Sequence, residues 1–372
     1  LNRKPAVSAA AVGTPAAYSG AARVYDESGT LLYEGELLEG IYNGPGKLFA
    51  PDGSVRAEGV FQNGMLTQGS VYGENGALLY TGAFADGMYS GQGTSYYPNG
   101  AVKYQGEFKA GVPSGQGRLF GEDGALLYEG SFANGVYQGE GVEYGEGGVI
   151  VYQGSFLAGK YNGSGKLLTP EGIIRYEGGF VNGLPSGQGI LYDDAGNKRY
   201  EGSFANGEFS GRGTLFSADG LPEYSGGFLA GRFHGQGEKY GPLGTVEFRG
   251  NFVNGTLHGP GVWLRPDGSV VFQGVFSENE PDLTAYLGMT AARLEESLGG
   301  PPTTVDIESS ASGEDPFAGP AADAMLLMSW HDLRIVFALD AGDDGFSGVA
   351  EVRVAAGELL DRVAAGLEAA AS

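Results

Sequence analysis

Apolar and polar positions alternate along most of this chain, in short runs broken by glycine. In Tyr104-Gln105-Gly106-Glu107-Phe108, the first, third and fifth residues fall at i, i+2 and i+4, so they share one face of an extended strand. The same triplet of aromatic, any residue and glycine recurs at Gly35, Gly59, Gly82, Gly106, Gly130, Gly154, Gly178, Gly202, Gly226, Gly250 and Gly274, with Ala57 in place of the aromatic before Gly59. The step is 24 residues, broken once by a step of 23 where Thr67-Gln68-Gly69 lacks the first glycine of the Gly-x-Gly carried by its neighbours.

Each unit reads as two strands and two turns. Asn134-Gly135 follows the first strand and Asp123-Gly124 follows a second, and such pairs between apolar runs mark hairpins because their residues tolerate positive φ. The pattern predicts a mainly β fold: an elongated, single-layer antiparallel array of β-hairpins over residues 18–280, followed by a small α+β domain at 281–372. With strands ~4.8 Å apart, each unit should advance the array by roughly 9–10 Å. Residues 1–17 read as a flexible tether of Ala, Pro, Val and Ser. Residues 18–32 supply a second-strand half-unit, and Pro281 closes the run at the other end.

In the terminal domain the spacing of Leu294 and Leu298 predicts a helix over Leu283 to Leu298, stopped by Gly299-Gly300 and Pro301-Pro302. Strands are expected at Thr303–Ile307, Ala324–Ser329, Leu333–Leu339 and Val349–Val354, with a loop at Ser309–Ala322 and a last helix from Gly357.

Composition supports this picture. The 372 residues include 70 glycines, 21 tyrosines, 20 phenylalanines and no cysteine, so large rings must provide buried area for a chain with many absent side chains. The net charge of −23 is spread over both halves, with 16 acidic and 4 basic residues in 281–372. That balance argues against nucleic acid and against adhesion to an anionic membrane. No run of residues is long and apolar enough for a membrane helix.

Tyr80, Tyr104, Tyr128, Tyr152, Tyr176, Tyr200 and Tyr224 form one row along the array and are the candidate partner-binding aromatics. Phe84, Phe108, Phe132, Phe156, Phe180, Phe204, Phe228 and Phe252 form a second. No catalytic, cofactor-binding or metal-binding residues are expected, because titratable groups do not converge. His234 and His258 occupy one polar turn position roughly 10 Å apart on adjoining hairpins. Ser329, His331 and Asp332 lack the glycines of a nucleophile elbow.

Tyr128-Glu129-Gly130-Ser131-Phe132-Ala133-Asn134-Gly135, then Gly139-Glu140-Gly141, closely resembles the MORN (membrane occupation and recognition nexus) repeat, as does Phe233-His234-Gly235-Gln236-Gly237. The resemblance covers residues 18–280 and is nearer the bacterial branch, with Tyr or Phe in place of Trp at the strand aromatics. It implies a curved sheet used for protein contacts, dimerisation or lipid contact. The sequence-based expectation is a non-enzymatic scaffold with a protein partner, either as a monomer or a homodimer, at a bacterial envelope or surface. The alternatives are a cell-wall glycan-binding module stacking sugars on the tyrosine row, and a cytoplasmic location.

Overall fold

A computed structural model describes residues 18–298, 302, 304–308, 325–329, 335–342 and 345–354. The tether at 1–17, the loop at Ser309–Ala322 and the last helix from Gly357 lie outside the described residues. By contacts the chain forms two compact units, one reaching Pro185 and including Asp194–Gly196, the other holding Ser186–Asp193 and the chain from Asn197.

The first unit is an antiparallel meander. From Gly20–Tyr25 through Leu31–Leu38 and Ile41–Phe49 to Ile174–Val181, each strand pairs with the next in sequence. The second unit repeats the arrangement from Leu184–Tyr192 to Val270–Ser277. The mainly β, antiparallel hairpin array expected from the sequence is therefore present in both units.

The two turns of each repeat differ in their physics. At the tight turn, Asn134 and Gly135 both have positive φ, 51° and 82°, the requirement of a two-residue turn whose twist matches its strands. Gly135 N–H then donates to the Pro113 carbonyl of the preceding hairpin at 2.9 Å, tying adjacent tips together. At the wider turn only Gly124 is left-handed, with φ 83°, while the Asp123 carboxylate accepts the Ala125 N–H at 3.0 Å. Asp123 thus acts as a side-chain cap of the turn, whereas Asn134 acts through its backbone.

Within each repeat the second strand carries two extra residues. Gly130 faces Gly141 and Phe132 faces Tyr137, so two steps on one strand match four on the other. Gly139, at φ 68°, takes up the resulting kink. The 23-residue unit shows the same device with one residue fewer: Gly59 faces Gly69 and Phe61 faces Leu66, and the missing glycine is absorbed inside the bulge.

Beyond the array, the expected helix over Leu283–Leu298 is corrected to two pieces. A 3₁₀ turn spans Leu283–Tyr286 and an α-helix spans Ala291–Leu298. Leu287 is extended, with ψ 132°, and Gly288 is left-handed, with φ 75°, so the chain cannot continue helically between them. The four strands that follow run at Thr304–Glu308, Met325–Ser329, Ile335–Gly342 and Gly345–Val354, in an antiparallel sheet in sequence order.

Candidate functional site

The expected aromatic row is interior. Tyr80, Tyr128, Tyr152, Tyr200 and Tyr224 are 0 % exposed, and Tyr104 and Tyr176 are 1 % exposed. The Tyr128 ring stacks on Tyr137 of its own hairpin at 3.7 Å between centroids. It meets Phe132 and Phe156 edge-on at 5.0 and 5.2 Å, so four rings from adjoining hairpins close over one another. Its hydroxyl donates to the Ser131 carbonyl at 3.0 Å, and Tyr80, Tyr104, Tyr152, Tyr176, Tyr200 and Tyr224 repeat that bond three residues along. Burial raises their phenol pKa values, to about 12 at Tyr80, Tyr104, Tyr152, Tyr176, Tyr200 and Tyr224. The row named from sequence as a partner-binding surface is corrected to internal packing, because the curled hairpins roof it with their own rings.

The accessible surface is the opposite sheet face. A central ladder of facing side chains runs Arg23, Glu34, Lys47, Glu58, Ser70, Thr81, Thr94, Gln105, Arg118, Glu129 in the first unit. Opposite charges meet in it: Arg23 with Glu34 at 2.8 Å, Lys47 with Glu58 at 2.8 Å, and Arg118 with Glu129 at 2.8 Å. Hydroxyls fill other rungs, with Ser70 donating to Thr81 at 3.1 Å. The hydrogen bond from Lys47 lowers the Glu58 pKa, helped by one from the Tyr72 hydroxyl. In the second unit Arg249 and Glu238 continue the pattern at 2.7 Å. An open depression of about 560 Å³ there is lined by Gln188, Glu201, Arg212, Thr214, Ser225 and Gln236 among others.

Two apolar rows border this polar ladder. Phe49, Tyr72, Tyr96, Phe120, Tyr144, Tyr192, Phe216 and Tyr240, at the ends of second strands, are half-buried. The Tyr72 and Tyr240 hydroxyls donate to Glu58 at 2.7 Å and Glu238 at 3.0 Å, and Lys198 lies over the Phe216 ring at 5.7 Å, which places these rings on the open face. Sequence reasoning passed over this row, whose 24-residue spacing is interrupted by Leu168 and by the 23-residue step from Phe49 to Tyr72. The other border lies at the tight turns, where Leu38, Leu157, Val181 and Leu229 are 50–53 % exposed and Ile41, Val136 and Leu184 43–48 % exposed. They fall at two repeat positions that face each other across the tight turn, as Leu38 faces Ile41, and other repeats place Gln62, Lys109, Lys160 or Glu208 there.

His234 is half-buried and His258 exposed. Ser329 ends the strand Met325–Ser329, and His331 and Asp332 lie outside the described residues. Among the described residues no cluster of His, Cys, Asp and Glu could hold a metal ion, and no helix is long and apolar enough to cross a membrane.

These hairpins, with their glycine-centred rungs and roofed tyrosines, are a repeat class in which a folded unit stacks on its neighbours. The MORN repeat profile matches nine segments, at residues 33–55, 80–102, 104–125, 128–149, 152–173, 176–198, 200–221, 224–246 and 248–270, more than half the chain. The chain belongs to the MORN repeat family. The profile leaves out the 23-residue unit, where Ala57 stands at the ring position and the bulge is shortened. A comparison with curated proteins gives no match. Among solved structures, "Crystal Structure of TcdB2-TccC3-Cdc42" aligns with 88 % of this chain and 15 % of that chain, at 11 % identity and a TM-score of 0.13. This chain thus spans about 15 % of that chain's length.

Proposed function

We propose that this protein is a non-enzymatic scaffold whose open sheet face binds a protein partner. The observation that carries the reading is the division of labour between faces: the packed face spends its tyrosines on its own stability, while the open face sets exposed aliphatics along a polar ladder. Such a face offers apolar anchors at tight turns of several repeats, Leu38, Leu157, Val181 and Leu229 among them, with charged rungs beside them to set register. Side chains held on paired strands lose little further freedom on binding, which favours recognition over many weak contacts. The glycan reading loses the residues it was built on, because Tyr80 to Tyr224 are not available for stacking.

The bacterial envelope is our reading of the compartment, supported by the tether-like composition of residues 1–17. Fractionation of the source cells tests it, and recovery in the cytosol alone would overturn it.

Site-specific photo-crosslinking tests the face. A photoreactive residue at Leu157 should capture a partner, and Val136→Asp with Val181→Asp should abolish capture while circular dichroism stays unchanged. Capture from a probe at buried-face positions only, or capture indifferent to both aspartates, would sink the proposal.

A further inference from the structure

The two ends of the array are complementary halves of one repeat. At one end, Gly20–Tyr25 is a second strand; among the described residues its only strand partner is Leu31–Leu38, on its inner side. At the other end, Val270–Ser277 is a first strand whose own second strand is reduced to Glu280–Pro281. We propose that these ends join between two copies of this chain, the Gly20–Tyr25 strand of one copy completing the last repeat of the next, and that the segment around Tyr286 is a cap that competes with this joining.

The register follows from every internal repeat. Where Tyr128, Glu129 and Gly130 face Glu143, Val142 and Gly141, the joined ends would set Phe272, Gln273 and Gly274 against Val24, Arg23 and Ala22. The side chains at the two ends depart from the repeat in a matched way. Internally a tyrosine hydroxyl overlies the second-strand glycine so closely that a Cβ at Gly141 would overlap the Tyr128 hydroxyl. At the ends, the glycine position is Ala22 and the tyrosine position is Phe272; in the internal repeat that also carries Phe there, the Phe248 ring is not among the atoms nearest a Cβ built at the facing second-strand Gly261, so a phenylalanine leaves room that a tyrosine does not. Arg23 against Gln273 would also prolong the polar ladder that begins Arg23, Glu34, Lys47.

The cap lies on the strand edge where joining would take place. Val275 N–H donates to the Tyr286 hydroxyl at 2.7 Å, and the Val275 carbonyl accepts Asp282 N–H at 2.8 Å. Tyr286 is 0 % exposed, and a Cβ at Gly274 would overlap its hydroxyl, so Tyr286 fills the place of the missing strand. The cap is in turn held by Gly288 N–H on the Val349 carbonyl at 2.8 Å and by Val349 N–H on the Met289 carbonyl at 2.9 Å. An unprotected strand edge is a template for another chain, and a head-to-tail joint that does not close into a ring propagates.

Sedimentation velocity of the full chain over a hundred-fold concentration range tests this. Tyr286→Ala should raise the average mass with concentration well above that of the wild type, and Tyr286→Phe, which keeps the ring and loses the acceptor, should do so less. In the Tyr286→Ala background, Gln273→Glu should tighten association and Gln273→Arg weaken it, each roughly two- to five-fold. Arg23→Ala should erase the difference between those two. A folded Tyr286→Ala chain of constant mass would overturn the proposal, as would association indifferent to the charge at position 273; if Tyr286→Ala fails to fold, the same readings are taken on Tyr286→Phe.

Discussion

The Tyr128 hydroxyl lies against Gly141, the residue facing Gly130 across the hairpin, and donates to Ser131 at 3.0 Å on its own strand. One contact thereby fixes the repeat's glycine, its tyrosine and the curl of the sheet. Gly141→Ala should therefore cost about 1–3 kcal/mol, because the ring above is held on several sides and cannot withdraw. Tyr128→Phe should cost about 1 kcal/mol through the lost hydrogen bond. A Cβ at Gly141 would overlap ring carbons of Tyr128 as well as its hydroxyl, and phenylalanine keeps those carbons, so Gly141→Ala should still be costly in the Tyr128→Phe background. Urea unfolding of the four chains checks this, and a Gly141→Ala cost that vanishes in that background would contradict the contact.

Alkali should unfold the array between about pH 10 and pH 12. The buried phenols have pKa values raised from 10 to about 12 at Tyr80, Tyr104, Tyr152, Tyr176, Tyr200 and Tyr224, chiefly by desolvation. A raised pKa means the unfolded chain releases its protons first, so this stability is complete below pH 10 and is lost as pH climbs through the folded value. Phenolate absorbance from these rings should rise together with loss of the β circular dichroism signal. Full ionisation near pH 10 with the fold intact would refute the burial.

Ala158 occupies the left-handed first turn position at φ 49°, where Asn134, Asn182 and Asn206 stand in other repeats at 51–53°. Alanine pays the full steric cost of that conformation and asparagine much less. Ala158→Asn should stabilise by about 0.5–1 kcal/mol, read as a higher midpoint in thermal or urea unfolding. Ala110 and Ala230, each at φ 49°, should respond alike.

The ion pairs of the open face should matter little to stability. Arg118 and Glu129 meet at 2.8 Å with side chains 54 % and 43 % exposed, so water and salt screen them. Arg118→Ala should change the unfolding free energy by less than about 1 kcal/mol. If the ladder sets a partner's register, the same substitution should still weaken partner capture by the photo-crosslinking probe at Leu157.

The 24-residue spacing of Gly82, Gly106 and Gly130 was enough to establish the hairpins, their turns and their antiparallel order, because local residues alone can supply positive φ and alternation. Even the 23-residue step had its cause in Thr67-Gln68-Gly69, since a lost bulge residue is a local event. Which row of rings would be left for a partner was not local. The burial of Tyr128 depends on Tyr137, Phe132 and Phe156, drawn from two adjoining repeats and brought over it by the kink at Gly139. Alternation gave Tyr104 and Tyr144 equal claims to a face, and only the tertiary structure decided between them. The same holds for Tyr286, which fell within the helix expected over Leu283 to Leu298 and instead sits in a 3₁₀ turn with its hydroxyl accepting the Val275 N–H. Sequence determined the repeating unit, whose conformation is set by its own backbone. Tertiary structure decided which face was spent on packing, because roofing the rings needs neighbouring units to close over them.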